Sequence, residues 1–306
     1  MDGRRDGVLV VDKPAGPTSH DVVDRVRRAL GLRRVGHTGT LDPFATGVLP
    51  VCLGKATRLA RFLGEGDKLY RATVCLGFAT TTDDATGEPL GEPRPVRLDP
   101  GSVERALTSL TGPLEQVPPR YSAKHVGGRR HYELARRGEG GQPAAARVTV
   151  HTIALLGAEA DHLEIEVRCS PGTYVRALAR DLGEKLGVGG HLSALRRLRS
   201  GAFGLAQAVA AESLGPESWG SVVPMSGLLL DMPAVQVGPE GRAAVAHGRD
   251  VPGGTEGLRG AAPAERVRIL GDGGELLALA VPRGFGPSVP GLPLEPVWHP
   301  DVVLAE

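Results

Sequence analysis

Residues 163–186 read LEIEVRCSPGTYVRALARDLGEKL, and the organisation of the chain follows from them. Leu163, Ile165, Val167 and Cys169 alternate with Glu164, Glu166 and Arg168, the period of a half-buried strand. Ser170-Pro171-Gly172 ends that period. Beyond it Val175, Leu178, Leu182 and Leu186 recur at helical spacing, with Arg176 and Arg180 on another face. Working outward, Tyr70, Ala72, Val74 and Leu76 alternate with Arg71, Thr73 and Cys75, which predicts a second strand. Val8–Val11 reads as a short buried strand ending at Asp12-Lys13-Pro14. Thr18 or Ser19 then caps a helix in which Val22, Val26, Ala29 and Leu30 share a face, with Gly31 as its stop. Val103, Ala106, Leu107 and Leu110 mark another helix, closed by Gly112-Pro113. Strands and helices mix without regular βαβ alternation. The expected class is α+β, with a central, largely antiparallel mixed sheet flanked by helices.

The length of 306 residues suits two domains, and the composition shifts near Met232-Pro233. Residues 1–232 are expected to form the larger unit. Residues 233–306, with short apolar runs at Val267–Leu270, Leu276–Val281 and Val302–Leu304 between Gly/Pro turns, are expected to form a small β-rich one. Residues 118–146 are basic and Gly-rich and read as an excursion from the sheet. Cys52, Cys75 and Cys169 are far apart and show no metal-ligand spacing, so a reducing compartment and no structural zinc are expected. The first residues hold too few apolar positions for a signal peptide. The longest apolar candidate, Trp219 to Leu230, is broken by Pro224 and stops at Asp231, so no membrane span and a cytoplasmic location are expected.

The net charge of +1 hides clustering. Arg120, Lys124, Arg129, Arg130, Arg136 and Arg137 face a single acid, Glu133, within 118–137. Arg168, Arg176, Arg180, Lys185, Arg196, Arg197 and Arg199 fall within 168–200, and a third island holds Arg25, Arg27, Arg28, Arg33 and Arg34. Only five of the 36 cations are lysines, and guanidinium suits phosphate and base stacking. All four tyrosines lie between 70 and 174, interleaved with two of these islands, a pairing of rings with cations that suits RNA.

The stretch with most chemistry is Gly36-His37-Thr38-Gly39-Thr40-Leu41-Asp42-Pro43-Phe44-Ala45-Thr46-Gly47. Asp42-Pro43 alone would be an ordinary turn. Four polar functional groups in six residues, flanked by glycines, exceed what a turn needs. Two other stretches read as decoys. Six residues, not four, separate Gly47 from Gly54-Lys55-Ala56, so it is no phosphate loop. Asp83-Asp84-Ala85-Thr86-Gly87-Glu88 lacks the alternating ligands of a calcium loop and is read as a tight turn.

Over residues 7–230 the segments GVLVVDKPAGPTSHDVV, RVGHTGTLDPFATGVLPVCLGKATR, DKLYRATVCLG, PPRYSAKHVGGRRHYELARRG and CSPGTYVRALARDLG closely resemble the B-type tRNA pseudouridine synthases. That resemblance implies isomerisation of uridine 55 in the tRNA T arm, without cofactor or metal. It implies Asp42 as the catalytic carboxylate, Arg176 as its salt-bridge partner and Tyr70 as the ring stacked on the flipped base. Tyr174 would line the pocket, Leu195 would form an apolar wall, and His37 would fill the space vacated in the RNA loop. Lys13-Pro14 would support the site, with Lys13 grouped among the substrate contacts. Lys124, Arg129 and Arg130 would clamp the RNA, where the family more often has Ala-Leu-Lys for Ala123-Lys124-His125. Residues 233–306 would be PUA-like, and a monomer is expected. The rival is a T-arm-binding tRNA folding chaperone without catalysis. A hydrolytic glycosidase needs two carboxylates, and the candidate stretch offers one.

Overall fold

The computed structural model describes residues 6–120, 125–126, 129–130, 144–253, 265–287 and 294–305. Lys124 and the side chains of Arg129 and Arg130 lie outside them. So does most of the expected clamp, of which the paired backbones of His125–Val126 and Arg129–Arg130 are described.

The larger unit is built from β1 (Gly7–Lys13), α1 (Ser19–Leu30), β2 (Val35–His37), β3 (Thr46–Leu53), β4 (Lys68–Leu76), α2 (Pro100–Ser109), β5 (Gly112–Gln116), β6 (Ala146–Glu159), β7 (His162–Cys169), α3 (Val175–Lys185), β8 (Gly190–Ser200), β9 (Val209–Ala210) and β10 (Val223–Pro224). The sheet order is β9-β1-β3-β8-β4-β7-β6-β5, with β2 also on β3 and β10 also on β1. The β9–β1 and β3–β8 pairs are parallel and the others antiparallel, so the expected mixed α+β class stands.

β1 reads as a continuous apolar run because both its faces are covered. Leu9 and Val11 pack with Val22, Val23, Val26 and Leu30 of α1, whereas Val8 and Val10 face the opposite cluster. Thr18 is the α1 cap, in a reciprocal capping box with Asp21, and Gly31 ends the helix at φ 63°. The even residues of β4 join α2, β7 and α3 in the largest core, where Leu178 and Leu182 are buried.

Three strands depart from the sequence reading. β3 carries Pro50 in its middle, which argues against an interior strand. The Pro50 carbonyl accepts from Thr38 N–H at 3.2 Å, on the side where β2 has ended, so its nitrogen faces that side too and the ladder to β1 loses no donor. β6 has no expected counterpart over 147–159. In β8, register shifts at Leu192/Ala194 and Arg197/Arg199 break the two-residue period.

The β-rich C-terminal unit comprises β11 (Ala234–Gln236), α4 (Pro239–Ala246), β12 (Val251–Pro252), β13 (Val267–Leu270), β14 (Leu276–Pro287) and β15 (Leu294–Val303), ordered β11-β13-β14-β15-β12. It shares a core with the larger unit: Leu276, Leu279, Val302 and Leu304 pack with Val8, Val48, Leu59, Leu63 and Phe203. Lys55 and Arg58 donate to the carbonyls of Leu304 and Val303 at 3.0 and 2.5 Å. No helix among the described residues is long and apolar enough to cross a membrane.

Candidate active site

Where parallel β3–β8 meets antiparallel β8–β4, the sheet carries a cleft of about 470 Å³, within the range of small-ligand pockets. Loop 38–42, Lys68 and Tyr70 of β4, the start of β6, residues 170–176, and Leu195 and Arg197 of β8 line it. Asp42 is the one carboxylate among the described lining residues.

The loop carrying Asp42 is held from several directions. Ser19 Oγ accepts from Leu41 N–H at 2.8 Å and donates to the Leu41 carbonyl at 3.0 Å, so the residue beside the α1 cap fixes the residue before Asp42. Lys13, fully buried, donates from Nζ to the carbonyls of Pro14, Pro43 and Ala45 at 2.9, 3.1 and 2.7 Å. Arg197, also buried, donates to the carbonyls of Val48, Gly39 and Thr40 at 2.7, 3.1 and 3.4 Å. Gly47 makes that last arrangement possible. At φ 102° it lies so close to β8 that a Cβ would stand 2.2 Å from the Arg197 carbonyl oxygen.

Arg176 joins Asp42 to a second carboxylate. Its Nε lies 3.0 Å from Asp42 Oδ2, and Nη2 donates to Oδ1 at 3.3 Å. Nη1 donates to Asp84 Oδ2 at 3.0 Å and to the Thr82 carbonyl at 3.1 Å. Asp84 is buried, and its Oδ1 accepts from Thr82 Oγ1, Thr86 N–H and Thr86 Oγ1 at 2.7, 2.9 and 2.5 Å. The segment is therefore the tight turn expected, and it also anchors the site. Asp84 does not line the cleft, so the two-carboxylate constellation of a glycosidase is not formed there.

Burial pushes the Asp42 carboxyl above the ordinary carboxylate range; Arg176 and Lys13 pull it back, while Asp84 adds to the rise. The arginine thus moderates an upward shift and does not reverse it. The Asp42 side chain keeps 35% exposure and lines the cleft. Burial lowers Lys13 to about 8, and Lys68, whose Nζ donates to the Gly64 and Gly66 carbonyls, likewise to about 8. Burial raises the Tyr70 phenol, against the nearby charge of Arg197.

Asp42, Tyr70, Tyr174, Arg176 and Leu195 therefore converge on one cleft. His37 ends β2 beside it, half-buried, and the next residue, Thr38, lines the wall. Lys13, with no exposed surface and its ammonium committed to three carbonyls, braces the loop from beneath, the supporting role expected of Lys13-Pro14. The arginine island at 168–200 is largely tied up within the protein. Arg168 pairs with Asp67, Arg180 with Asp83 and Asp181, and Arg196 with Asp12, while Arg176 and Arg197 are interior. Most of that charge serves the fold.

Sequence reasoning missed Asp84, Gln116 and the bracing role of Arg197. Gln116, at the end of β5, accepts from Tyr174 N–H at 2.8 Å and donates to the Tyr174 carbonyl at 3.1 Å, clamping the backbone where α3 begins. A lone glutamine after a short strand gives no signal. Asp84 gave one, an acid among threonines in a turn, legible only once Arg176 is placed beside it.

A nucleoside-sized cleft on a mixed sheet, floored by a single arginine-paired aspartate, has the fold of enzymes and complexes that handle RNA. Two solved structures each match 98% of this chain and 85% of their own. One, an H/ACA RNP bound to a substrate RNA containing 2′-deoxyuridine, has a TM-score of 0.72 and 26% identity; the other, a Cbf5-Nop10-Gar1 complex, has 0.73 and 27%. The model of the TruB family pseudouridylate synthase N-terminal domain matches residues 27–175, and that of the tRNA pseudouridylate synthase B C-terminal domain matches 176–221. A protein of Symbiobacterium thermophilum called tRNA pseudouridine synthase B is 51% identical over 246 residues, 79% of this chain and 82% of that one. Its namesake in Thermobifida fusca is 46% identical over 296 residues, 93% and 97%. The chain belongs to the TruB family of pseudouridylate synthases. The second family match includes β8, the strand beneath the loop that carries Asp42, and the β-rich unit lies beyond it.

Proposed function

We propose that this chain converts uridine 55 in the T arm of tRNA to pseudouridine. The observation that carries the reading is Asp42, alone among the described cleft residues in bearing a carboxylate, oriented by a buried arginine. The reaction breaks the N1–C1′ bond, turns the uracil and joins C5 to C1′. The C5 proton leaves and N1 gains one, so nothing is oxidised or added. Asp42 either adds to C1′ or takes the 2′ proton, and both routes need it ionised. Arg176 and Lys13 favour that form against burial.

The target uridine must leave its stack, at a cost of about a few kcal/mol. In this reading Tyr70 stacks on the extruded base, Tyr174 and Leu195 enclose it, and His37 fills the vacated space in the RNA loop. Lys124, Arg129 and Arg130 clamp the stem. Residues 1–232 are the catalytic unit and 233–306 a PUA-like RNA-binding one, in a cytoplasmic monomer that needs no cofactor. A tRNA folding chaperone would bind the same RNA and leave uridine intact.

The test is a T-arm stem-loop tritiated at uracil C5, with and without EDTA, beside a hairpin of unrelated loop sequence. Tritium release from the T arm alone, in step with pseudouridine and insensitive to EDTA, is expected. Tight binding without release would establish the chaperone reading.

A further inference from the structure

Away from the cleft, a thiol, a carboxylate and an imidazole meet at the far end of β4. The ligand atoms of Cys75, Asp161 and His162 all lie within 4.8 Å of one another. Their backbones are fixed independently of any ligand. His162 stands directly across from Cys75 in the β4–β7 ladder, so both side chains leave the sheet on one face. Asp161 occupies the turn between β6 and β7, after Ala160 at φ 52°, and its carbonyl accepts from Leu76 N–H at 2.8 Å. The Asp161 carboxylate lies 2.6 Å from Nδ1 of His162. The thiol is buried, while the other two side chains are 45% and 48% exposed, which leaves an open approach from solvent.

We propose that Cys75, Asp161 and His162 bind a divalent transition-metal ion of the zinc class, with water completing a tetrahedral shell. Zinc bonds of about 2.0–2.3 Å place neighbouring ligand atoms about 3.5 Å apart. The half-exposed Asp161 and His162 side chains close the remaining gap by rotation. Sulfur and imidazole together select such an ion over magnesium or calcium, which take oxygen. On binding, the Cys75 S–H proton passes to solvent and a sulfur–metal bond forms, with no change of oxidation state. The ion ties the β6–β7 turn to the end of β4. Cys75 and Tyr70 sit on opposite faces of β4, about 17 Å apart at the usual rise per residue, so the site is separate from the cleft. Its ligands are 86 and 87 positions apart in the chain, which is why no spacing motif announced it.

Titration of the full chain with Cd²⁺, followed by thiolate-to-metal charge-transfer absorption, and with Zn²⁺ against a chromophoric chelator, tests this. One ion per chain is expected, with a charge-transfer band that Cys75→Ser abolishes. His162→Ala should weaken Zn²⁺ at least tenfold and remove the rise in Tm that Zn²⁺ gives the wild type. That ring is half-exposed, so this variant serves even if Cys75→Ser folds poorly. Pseudouridine formation should be unchanged in both. A wild-type chain without the band, a band that survives Cys75→Ser, or Zn²⁺ affinity unaltered by His162→Ala would overturn the proposal.

Discussion

Nε of Arg176 stands 3.0 Å from Oδ2 of Asp42, and the same guanidinium is held from behind by Asp84, 3.0 Å from Nη1. One buried cation thus serves two carboxylates, of which only Asp42 meets the cleft. The second carboxylate orients the arginine and also opposes the charge on Asp42.

Asp84→Asn separates those two effects. Without the Asp84 charge, Asp42 titrates lower, because Asp84 contributes to its upward shift. The acid limb of the pH–rate profile should therefore move to lower pH. The plateau kcat should fall, by up to about 100-fold, since a preorganised charge has lost its anchor. A pH–rate profile under saturating RNA checks both; an acid limb that moved upward would contradict the stated geometry.

Lys13 predicts a stability effect with a defined sign. Its pKa falls from 10.5 to about 8 on burial, so between these values the unfolded chain binds more protons and stability rises with pH. At neutral pH the buried charge opposes folding, and its three carbonyl contacts offset that. Lys13→Met should remove the rise above pH 8. It should also destabilise by about 2 kcal/mol, because three carbonyls, that of Ala45 buried and those of Pro14 and Pro43 partly so, lose their donor. Urea unfolding at pH 7 and pH 10 measures both.

Tyr70 lies in the cleft with its hydroxyl under the influence of Arg197. Tyr70→Phe should keep more activity than Tyr70→Ala, since stacking a base on a ring is worth about 1–3 kcal/mol. Thermal unfolding run alongside subtracts the packing lost in the alanine variant. If Phe is as inactive as Ala, the phenol itself transfers a proton.

Arg129→Ala with Arg130→Ala should weaken RNA binding and flatten the salt dependence by about one to two units in log–log form, as each phosphate contact releases counterion. The rate at saturating RNA should change much less. An unchanged slope would assign capture of the RNA elsewhere, and Arg147, 92% exposed at the rim of the cleft, would be the next cation to replace.

Much of this was legible before any coordinates. β1, β4, β7, α1, α2 and α3 show in the sequence because each buries one clean stripe or, for β1, both faces. β8 and β3 did not show, for physical reasons: two register shifts scramble the alternation of β8, and β3 tolerates Pro50 only because β2 stops short of it. The same blind spot hid the supports of the site. Asp42 stands out by type and context and Arg176 is implied by the family resemblance, whereas Arg197, Asp84 and Gln116 act through contacts from 58 to 158 residues away in the chain. Composition left the role of the clustered charge open between an RNA footprint and ordinary charged faces. Of the clustered arginines, Arg176 and Arg197 are buried, while Arg180 and Arg196 are held nearer the surface in ion pairs with Asp83 and Asp12.

The central claim is that Asp42 carries the chemistry. Asp42→Asn keeps the shape of the side chain and removes the group that must be ionised. The measurement is single-turnover release of C5 tritium from a T-arm stem-loop by the purified variant, with RNA affinity determined on the same preparation. The account predicts no release above the uncatalysed background, with binding within a few-fold of wild type. Sustained tritium release and pseudouridine formation by Asp42→Asn would contradict it.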